Sequence, residues 1–161
     1  MDTGPCRELL GKLLQDELSV LVQLESLLGT EHEVLLKDDL DAFERSGKAR
    51  QACMGDLVRV EDERRSLCRM MGRSTDLAGL EDLLAWCDPT RSLRTQWAEC
   101  AHRAKRCRDL NDRNGMLVTG RLNRVQGLLN ILTGQSKPPE TYGRKGAYAT
   151  HGAGRVLKVE A

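Results

Sequence analysis

The sequence has very few aromatic residues: Phe, Trp and Tyr together make up 3% of its 161 residues. A hydrophobic core must therefore be built mainly from Leu, Val, Met, Ala and Cys, as in many helical bundles. The formal net charge is only +1, so no overall field favours nucleic acid or an acidic membrane surface as a partner. The length suits one domain with a modest core and is too short for two well-buried ones.

Long apolar runs are also missing. The longest candidate, from Leu18 to Leu28, is interrupted by polar residues and falls short of the ~18 apolar residues that a membrane span needs. The N-terminal residues Met1 to Pro5 contain no basic segment followed by an apolar run, so we expect no signal peptide. These features predict a cytosolic protein.

The six cysteines form no Cys-x-x-Cys pair, and the only histidine near one of them is His102, two residues after Cys100. This spacing does not favour a metal site. We also find no catalytic constellation, so we expect neither an enzyme nor a cofactor. The cysteines are predicted to be buried, reduced and apolar in character. They are Cys6, Cys53, Cys68, Cys87, Cys100 and Cys107.

Apolar residues recur every three or four positions along most of the chain, which predicts amphipathic helices. A first helix begins at Pro5 and is expected to end at Gly29, with Glu17 at the edge of its apolar stripe. A second runs from about Asp38 to Met71 and is closed by Gly72.

A short third helix is predicted from Asp76 to Cys87, where Asp88-Pro89 breaks the pattern. The fourth helix runs from about Ser92 to Leu132, is capped by Ser92 or Thr90, and ends at Gly134. We therefore predict an all-α fold, an elongated antiparallel bundle or hairpin of long helices with a short connecting helix.

The composition changes after Gly134. Residues 135–139 read as a linker, and five basic residues against two acidic ones give residues 135–161 a net charge of +3. Both tyrosines of the chain, Tyr142 and Tyr148, lie in this segment. We predict a helical domain over residues 1–134 and a flexible basic tail over residues 135–161.

Asn111 and Asn114 fall one turn apart in the apolar seam of the fourth helix. A buried amide without partners costs ~1–3 kcal/mol, so we expect both to hydrogen-bond each other, another helix or a guest chain. Two interpretations remain open. The pair either fixes the register of the bundle or marks the place where the bundle opens for a ligand.

The second half of the fourth helix has an apolar stripe wider than a two-helix seam requires. This stripe is either ordinary core or a groove for a partner's amphipathic helix. Gly115, Gly120 and Gly127 interrupt it, and each costs roughly 1 kcal/mol of helix propensity, so this half should be pliable. Its apolar residues are Leu117, Val118, Leu122, Val125, Leu128, Leu129, Ile131 and Leu132.

Two other functions deserve consideration. His102 and Lys105 are spaced as in a histidine phosphotransfer domain, where the cation steadies the phosphoryl group. The bulky Arg106, however, occupies a place where such domains usually have a small residue, so a solvated polar face explains the segment better. A structural coiled-coil adaptor that self-associates through the same seams is the third possibility.

Three segments together resemble the FlgN family of flagellar type III export chaperones. They are Leu110-Asn111-Asp112-Arg113-Asn114-Gly115, then Leu122 to Leu132, then Tyr142-Gly143-Arg144-Lys145-Gly146. The order and spacing are similar to those of the family, and the resemblance covers residues 5 to 146. The family often carries an acidic residue where this chain has Arg144 and Lys145.

The resemblance implies a chaperone that holds hook–filament junction proteins unpolymerised in the cytosol by binding their C-terminal segments. It implies delivery to the export apparatus without ATP hydrolysis. It also implies that Leu122, Val125, Leu129 and Leu132 form the client groove and that Tyr142 contacts the export gate. No nucleic-acid partner is expected, and the free protein is a candidate homodimer.

Overall fold

The computed structural model describes residues 2–134, 141–142 and 148–149, the last two pairs by backbone alone. Four helices account for almost all of this: α1 (Gly4–Leu36), α2 (Leu40–Met70), α3 (Leu77–Cys87) and α4 (Ser92–Thr133). Two short strands follow, β1 (Thr141–Tyr142) and β2 (Tyr148–Ala149). The predicted all-α fold of long helices with a short connecting helix is confirmed.

The chain divides into two compact units, Met1–Gly115 and Met116–Ala161, and the division falls within α4. The first unit holds α1, α2, α3 and the first part of α4. The second holds the rest of α4 and the two strands, which pair antiparallel with Tyr142 opposite Tyr148. The predicted domain boundary at residue 134, and the flexibility of residues 135–161, stay predictions because most of that segment lies outside the described residues.

The first unit is built on a seven-residue repeat of buried positions, which is the pattern of helices that pack side by side along their length. Each long helix contributes four such positions. They are Leu14, Leu21, Leu28 and Leu35 in α1, Ser46, Cys53, Val60 and Leu67 in α2, and Leu93, Cys100, Cys107 and Asn114 in α4.

Helices α1 and α4 run parallel within the first unit. Three side chains of α4, one in each heptad, donate hydrogen bonds to backbone carbonyls of α1, and the offset in residue number is the same each time. Each carbonyl has a second lone pair available beyond its helical bond. We call these contacts the α1–α4 ladder: Cys100 Sγ to Leu14 O (3.5 Å), Cys107 Sγ to Leu21 O (3.5 Å) and Asn114 Nδ2 to Leu28 O (2.9 Å).

Helix α2 runs antiparallel to α1, and two ion pairs set their register. Arg64 Nη1 lies 2.6 Å from Glu17 Oε2, and Arg50 Nε lies 3.5 Å from Glu31 Oε2. Both carboxylates fall on one heptad position of α1, two heptads apart, and both arginines do so on α2. Glu17, predicted at the edge of the apolar stripe, shares its heptad position with the buried Leu10 and Leu24, and its largely covered side chain reaches an arginine of the neighbouring helix.

All six cysteines are buried and free, as predicted. They divide between two apolar clusters, one around α3 and the start of α1, the other midway along the three long helices. Burial raises the pKa of Cys6 and of Cys100 to about 11. Both thiols therefore stay protonated near neutral pH and are poor nucleophiles.

The glycines predicted to end helices do so except at Gly29. Gly134 directly after α4, and Gly72 one residue beyond the C-cap Met71 of α2, adopt positive φ angles, as expected for glycines that end a helix. The end predicted at Gly29 is wrong, because α1 continues to Leu36. The burial of Leu28, Glu31 and Leu35 extends the helix past this glycine, and packing outweighs its weak propensity cost.

The predicted capping of α4 by Thr90 or Ser92 is also wrong. The carboxylate of Asp88 accepts the backbone N–H groups of Ser92 (3.1 Å) and Arg94 (3.0 Å). The hydroxyls of Thr90 and Ser92 donate to the same carboxylate. Burial opposes ionisation, but these hydrogen bonds outweigh it, and the pKa of Asp88 lies below its ordinary value.

Candidate functional site

The second half of α4 exposes a row of large apolar side chains. Their exposed fractions range from 48% to 82%, although an apolar helix face is normally covered. We call these residues the α4 apolar surface: Leu122, Val125, Leu128, Leu129, Ile131 and Leu132. A concentration of exposed apolar residues on one helix marks a candidate interaction site.

The two halves of α4 differ in burial although their apolar spacing is the same. In the first half, Cys100 and Cys107 are covered. In the second, Leu122 and Leu129, also seven residues apart, are exposed. The continuous seam predicted from the sequence is therefore a covered seam only up to Asn114, and the later positions keep an uncovered apolar face.

Leu117 and Val118, predicted to belong to the same site, are half-buried. They lie at the start of the second unit, before the exposed residues, and Met116 beside them is exposed. Within the predicted site, Leu117 and Val118 are therefore partly covered, whereas Leu122, Val125, Leu129 and Leu132 are exposed.

The two asparagines have different environments, and they do not hydrogen-bond each other. Asn114 is buried and uses its amide for α1, accepting from His32 Nδ1 (3.0 Å) and donating to Leu28 O (2.9 Å). Asn111 is exposed and accepts a hydrogen bond from Arg50 of α2 (3.2 Å). The predicted place of Asn111 inside the seam is wrong. Each amide bonds a neighbouring helix, which was one of the expected outcomes.

The polar residues beside the α4 apolar surface contain no carboxylate. Between Arg113 and Thr133 the sequence has the basic residues Arg121 and Arg124 but no Asp or Glu. Gln126 donates to Asn130 (2.9 Å) within the same helix. The local charge is therefore positive, although the chain as a whole is almost neutral.

Helix α4 passes through its three glycines without interruption. A methyl group added at Gly115, Gly120 or Gly127 would meet no atom within 4 Å outside its own helical turn. These glycines are thus not required by close packing among the described residues. Their conformational effect is a lower helix propensity.

The remaining predictions concern a metal site, phosphotransfer at His102, a membrane span and Tyr142. Among the residues that the structure describes, no three of His, Cys, Asp and Glu are grouped to hold a metal ion. His102 is exposed, and the neighbouring Arg106 pairs with Glu25 of α1 (2.7 Å). No described helix is long and apolar enough to cross a membrane. Tyr142 lies in β1, and its side chain is outside the described part of the chain.

Two buried polar residues of the first unit, Glu31 and Ser46, were not predicted from the sequence. Glu31 and Ser46 are buried together with Asn114, and burial raises the pKa of Glu31 although the positive charge of Arg50 lowers it. The available signal was the seven-residue spacing of Glu17 and Glu31 with the apolar residues Leu10 and Leu24.

Comparison with known proteins identifies the family of the chain. A model of the family described as FlgN protein matches residues 7–150, which is most of the chain. Comparison with curated proteins and with solved structures gave no significant match. Because the family match covers both compact units up to β2, the chain belongs to the FlgN family of flagellar export chaperones.

Proposed function

We propose that this protein is a cytosolic chaperone that binds the C-terminal segments of hook–filament junction proteins and keeps them from assembling before export. The observation that carries the proposal is the α4 apolar surface, on a chain that belongs to an export chaperone family. The action is binding, without a catalytic step or a cofactor.

The client segment in this proposal is an amphipathic helix. Its apolar face covers Leu122, Val125, Leu129 and Leu132, which recur at three and four residue steps, the spacing with which helices pack. Each Å² of apolar surface covered contributes about 25 cal/mol. Ordering of the client and of the chaperone side chains offsets part of this gain, so the complex stays releasable.

Residues before the exposed row have supporting roles. Leu117 and Val118 extend the client contact at its N-terminal end. Asn114 holds α1 against the first part of α4 through the ladder. Asn111 is exposed beside Arg50, and we assign its amide to a contact with the end of the client segment.

Delivery uses the segment after α4. We assign Tyr142 to the export gate, and the basic residues of 135–161 give this segment the charge to approach an acidic partner. A second binding segment on the same chain raises the effective concentration of the client at the gate. Self-association of the free protein through the α4 apolar surface would shield this surface until a client arrives.

Calorimetric titration with a C-terminal peptide of a hook–filament junction protein tests the proposal. Leu122→Asp combined with Leu129→Asp should abolish the heat of binding, because two charges would be buried against the client's apolar face. Asn123→Asp combined with Asn130→Asp is the matched control, with the same charges at the same spacing on the polar side of α4.

The control variant should bind within about twofold of the wild-type protein. Circular dichroism should show both variants fully helical. The proposal fails if the wild-type protein gives no binding, or if both double variants weaken binding equally.

A further inference from the structure

A second open surface lies in the first compact unit, between α2 and α4. It is a groove of about 550 Å³ with Met54 and Leu57 of α2 on one wall and Ala104 of α4 on the other. Leucines of α1, among them Leu24, form its floor. Met54 is half-exposed, so the groove has uncovered apolar area that is separate from the α4 apolar surface.

The charges along the groove have one sign. Arg50 and Arg108 are its only ionisable lining side chains apart from a thiol, and they stand on opposite walls. Arg50 already faces Glu31 and donates to Asn111. Within the described part of the chain Arg108 has neither a hydrogen bond nor an ion pair, and it is exposed. The groove therefore combines an apolar interior with an uncompensated cation.

The positive charge of the groove disfavours binding of the chain's own C-terminal segment. Residues 135–161 carry a net charge of +3, so a basic tail in a groove between two arginines would meet like charges. A complementary occupant has apolar side chains and at least one carboxylate.

The form of the occupant follows from the walls. The two walls and the floor are helices with internal backbone hydrogen bonds, and the floor carbonyls of Leu21 and Leu28 already accept a second bond from α4. They therefore offer few partners to the N–H and C=O groups of an extended peptide. A helix brings its own backbone bonds. The walls extend over about two turns, or ~10 Å, which admits two apolar side chains spaced by three or four residues.

We propose that the groove between α2 and α4 binds an acidic amphipathic helix of a partner protein. Two apolar side chains of this helix enter between Met54 and Ala104, and a carboxylate one turn away pairs with Arg108. This surface is additional to the α4 apolar surface, and the only residue it shares with the proposed client contact is Asn111 at one end of the groove.

Fluorescence anisotropy with a labelled peptide tests this inference on the full chain. The probe is an alanine-based helical peptide of about four turns, with two leucines one turn apart and a glutamate on each side of them. A second peptide has lysines in place of the glutamates. The wild-type protein should bind the glutamate peptide at least about tenfold more tightly than the lysine peptide.

Arg108→Glu should reverse this preference, whereas Lys105→Glu, the same charge change at an exposed position outside the groove, should preserve it. Ala104→Trp should fill the groove and remove the binding of both peptides. Binding of the glutamate peptide should persist in the Leu122→Asp and Leu129→Asp protein, which separates this surface from the one on α4.

The proposal is overturned if the glutamate peptide does not bind, or if Arg108→Glu has no larger effect than Lys105→Glu. It is also overturned if binding disappears in the Leu122→Asp and Leu129→Asp protein. A dimer of this chain that Ala104→Trp dissociates would show that a second copy fills the groove, contrary to the proposal.

Discussion

The Nδ1 atom of His32 lies 3.0 Å from Oδ1 of Asn114, and Nδ2 of the same amide donates to the backbone O of Leu28 at 2.9 Å. Because Oδ1 can only accept, Nδ1 of His32 carries the proton in this contact. The buried amide thereby joins one turn of α1 to the last heptad of α4 in the first compact unit. It is the strongest contact of the α1–α4 ladder, since the other two use thiol donors.

Replacing Asn114 should therefore cost far more stability than replacing Asn111. We expect Asn114→Ala to lower the free energy of unfolding by ~2 kcal/mol, because two hydrogen bonds are lost at a buried site. Asn111→Ala removes an exposed contact and should cost less than ~0.5 kcal/mol. Urea denaturation followed by circular dichroism measures both, and equal costs would show that the ladder does not hold the two helices together.

The sequence pattern alone did not predict that Asn114 is buried and Asn111 exposed. A step of three or four residues allows both Asn111 and Asn114 in a seam, but the helices of the first unit follow a seven-residue repeat. This repeat places Asn114 in line with the buried Cys100 and Cys107, whereas Asn111 falls outside it and bonds Arg50. Choosing between the two amides requires the position of the neighbouring helices, which a single amphipathic stripe does not contain.

Glu31 and Arg50 give the first unit a pH-dependent contribution. Burial raises the pKa of Glu31, while Arg50 lowers it. A carboxyl with a raised folded-state pKa stabilises the fold below its unfolded-state pKa, and this contribution is lost as pH rises through the folded-state pKa. Removing Arg50 should raise the pKa of Glu31 further, so more stability should be lost as the pH rises to 7.

We therefore expect Arg50→Gln to lower the free energy of unfolding at pH 7 by about 2 kcal/mol, the order of cost for a buried polar group left without its partner. The deficit should shrink as the pH is lowered towards 4.5, the ordinary pKa of a glutamate, because the raised pKa of Glu31 lets it take up its proton before that pH is reached. Adding Glu31→Gln should restore stability at pH 7. Urea denaturation across this pH range is the measurement, and a deficit independent of pH would exclude Glu31 as its source.

The glycines of α4 test whether a pliable helix matters. Gly120→Ala and Gly127→Ala should each stabilise the helix by roughly 1 kcal/mol, because no neighbouring atom blocks the new methyl group. Thermal unfolding of the helix by circular dichroism should shift upwards. If pliability assists release, the dissociation of the client peptide should slow in the same variants. Unchanged dissociation in a stabilised helix would exclude this role.

Gly79 is the contrasting control for those two substitutions. A methyl group there would lie 1.8 Å from the backbone O of Ser74. Gly79→Ala should therefore destabilise the loop before α3, whose first turn is capped by the carboxylate of Asp76. Stabilisation by this substitution would show that helix propensity alone governs the response to alanine.

Helix boundaries followed from the sequence wherever one residue supplies the stop. Gly72 and Gly134 have the left-handed backbone that ends a helix. Gly29 is also a glycine, but it lies inside α1, because buried residues on either side of it extend this helix to Leu36. The cap of α4 was missed because Asp88 lies outside the helix, four residues before Ser92. Reaching it depends on the loop backbone, including the positive φ of Arg91.

The exposed site could be predicted only in part. The width of the apolar stripe after Leu117 indicated more apolar surface than a two-helix seam needs. The difference between the two halves of α4 could not be predicted, since burial depends on which helices lie against each turn. The pairing of β1 with β2 was likewise not predicted, because two residues per strand leave no alternating pattern to detect.

Hydrogen–deuterium exchange of the full chain, with and without the C-terminal peptide of a hook–filament junction protein, tests the central claim most directly. The account predicts slower amide exchange within residues 116–134 when the client covers Leu122, Val125, Leu129 and Leu132. It predicts the same slowing in the Asn123→Asp and Asn130→Asp control and none in the Leu122→Asp and Leu129→Asp protein. Bound peptide that leaves exchange in residues 116–134 unchanged would contradict the account.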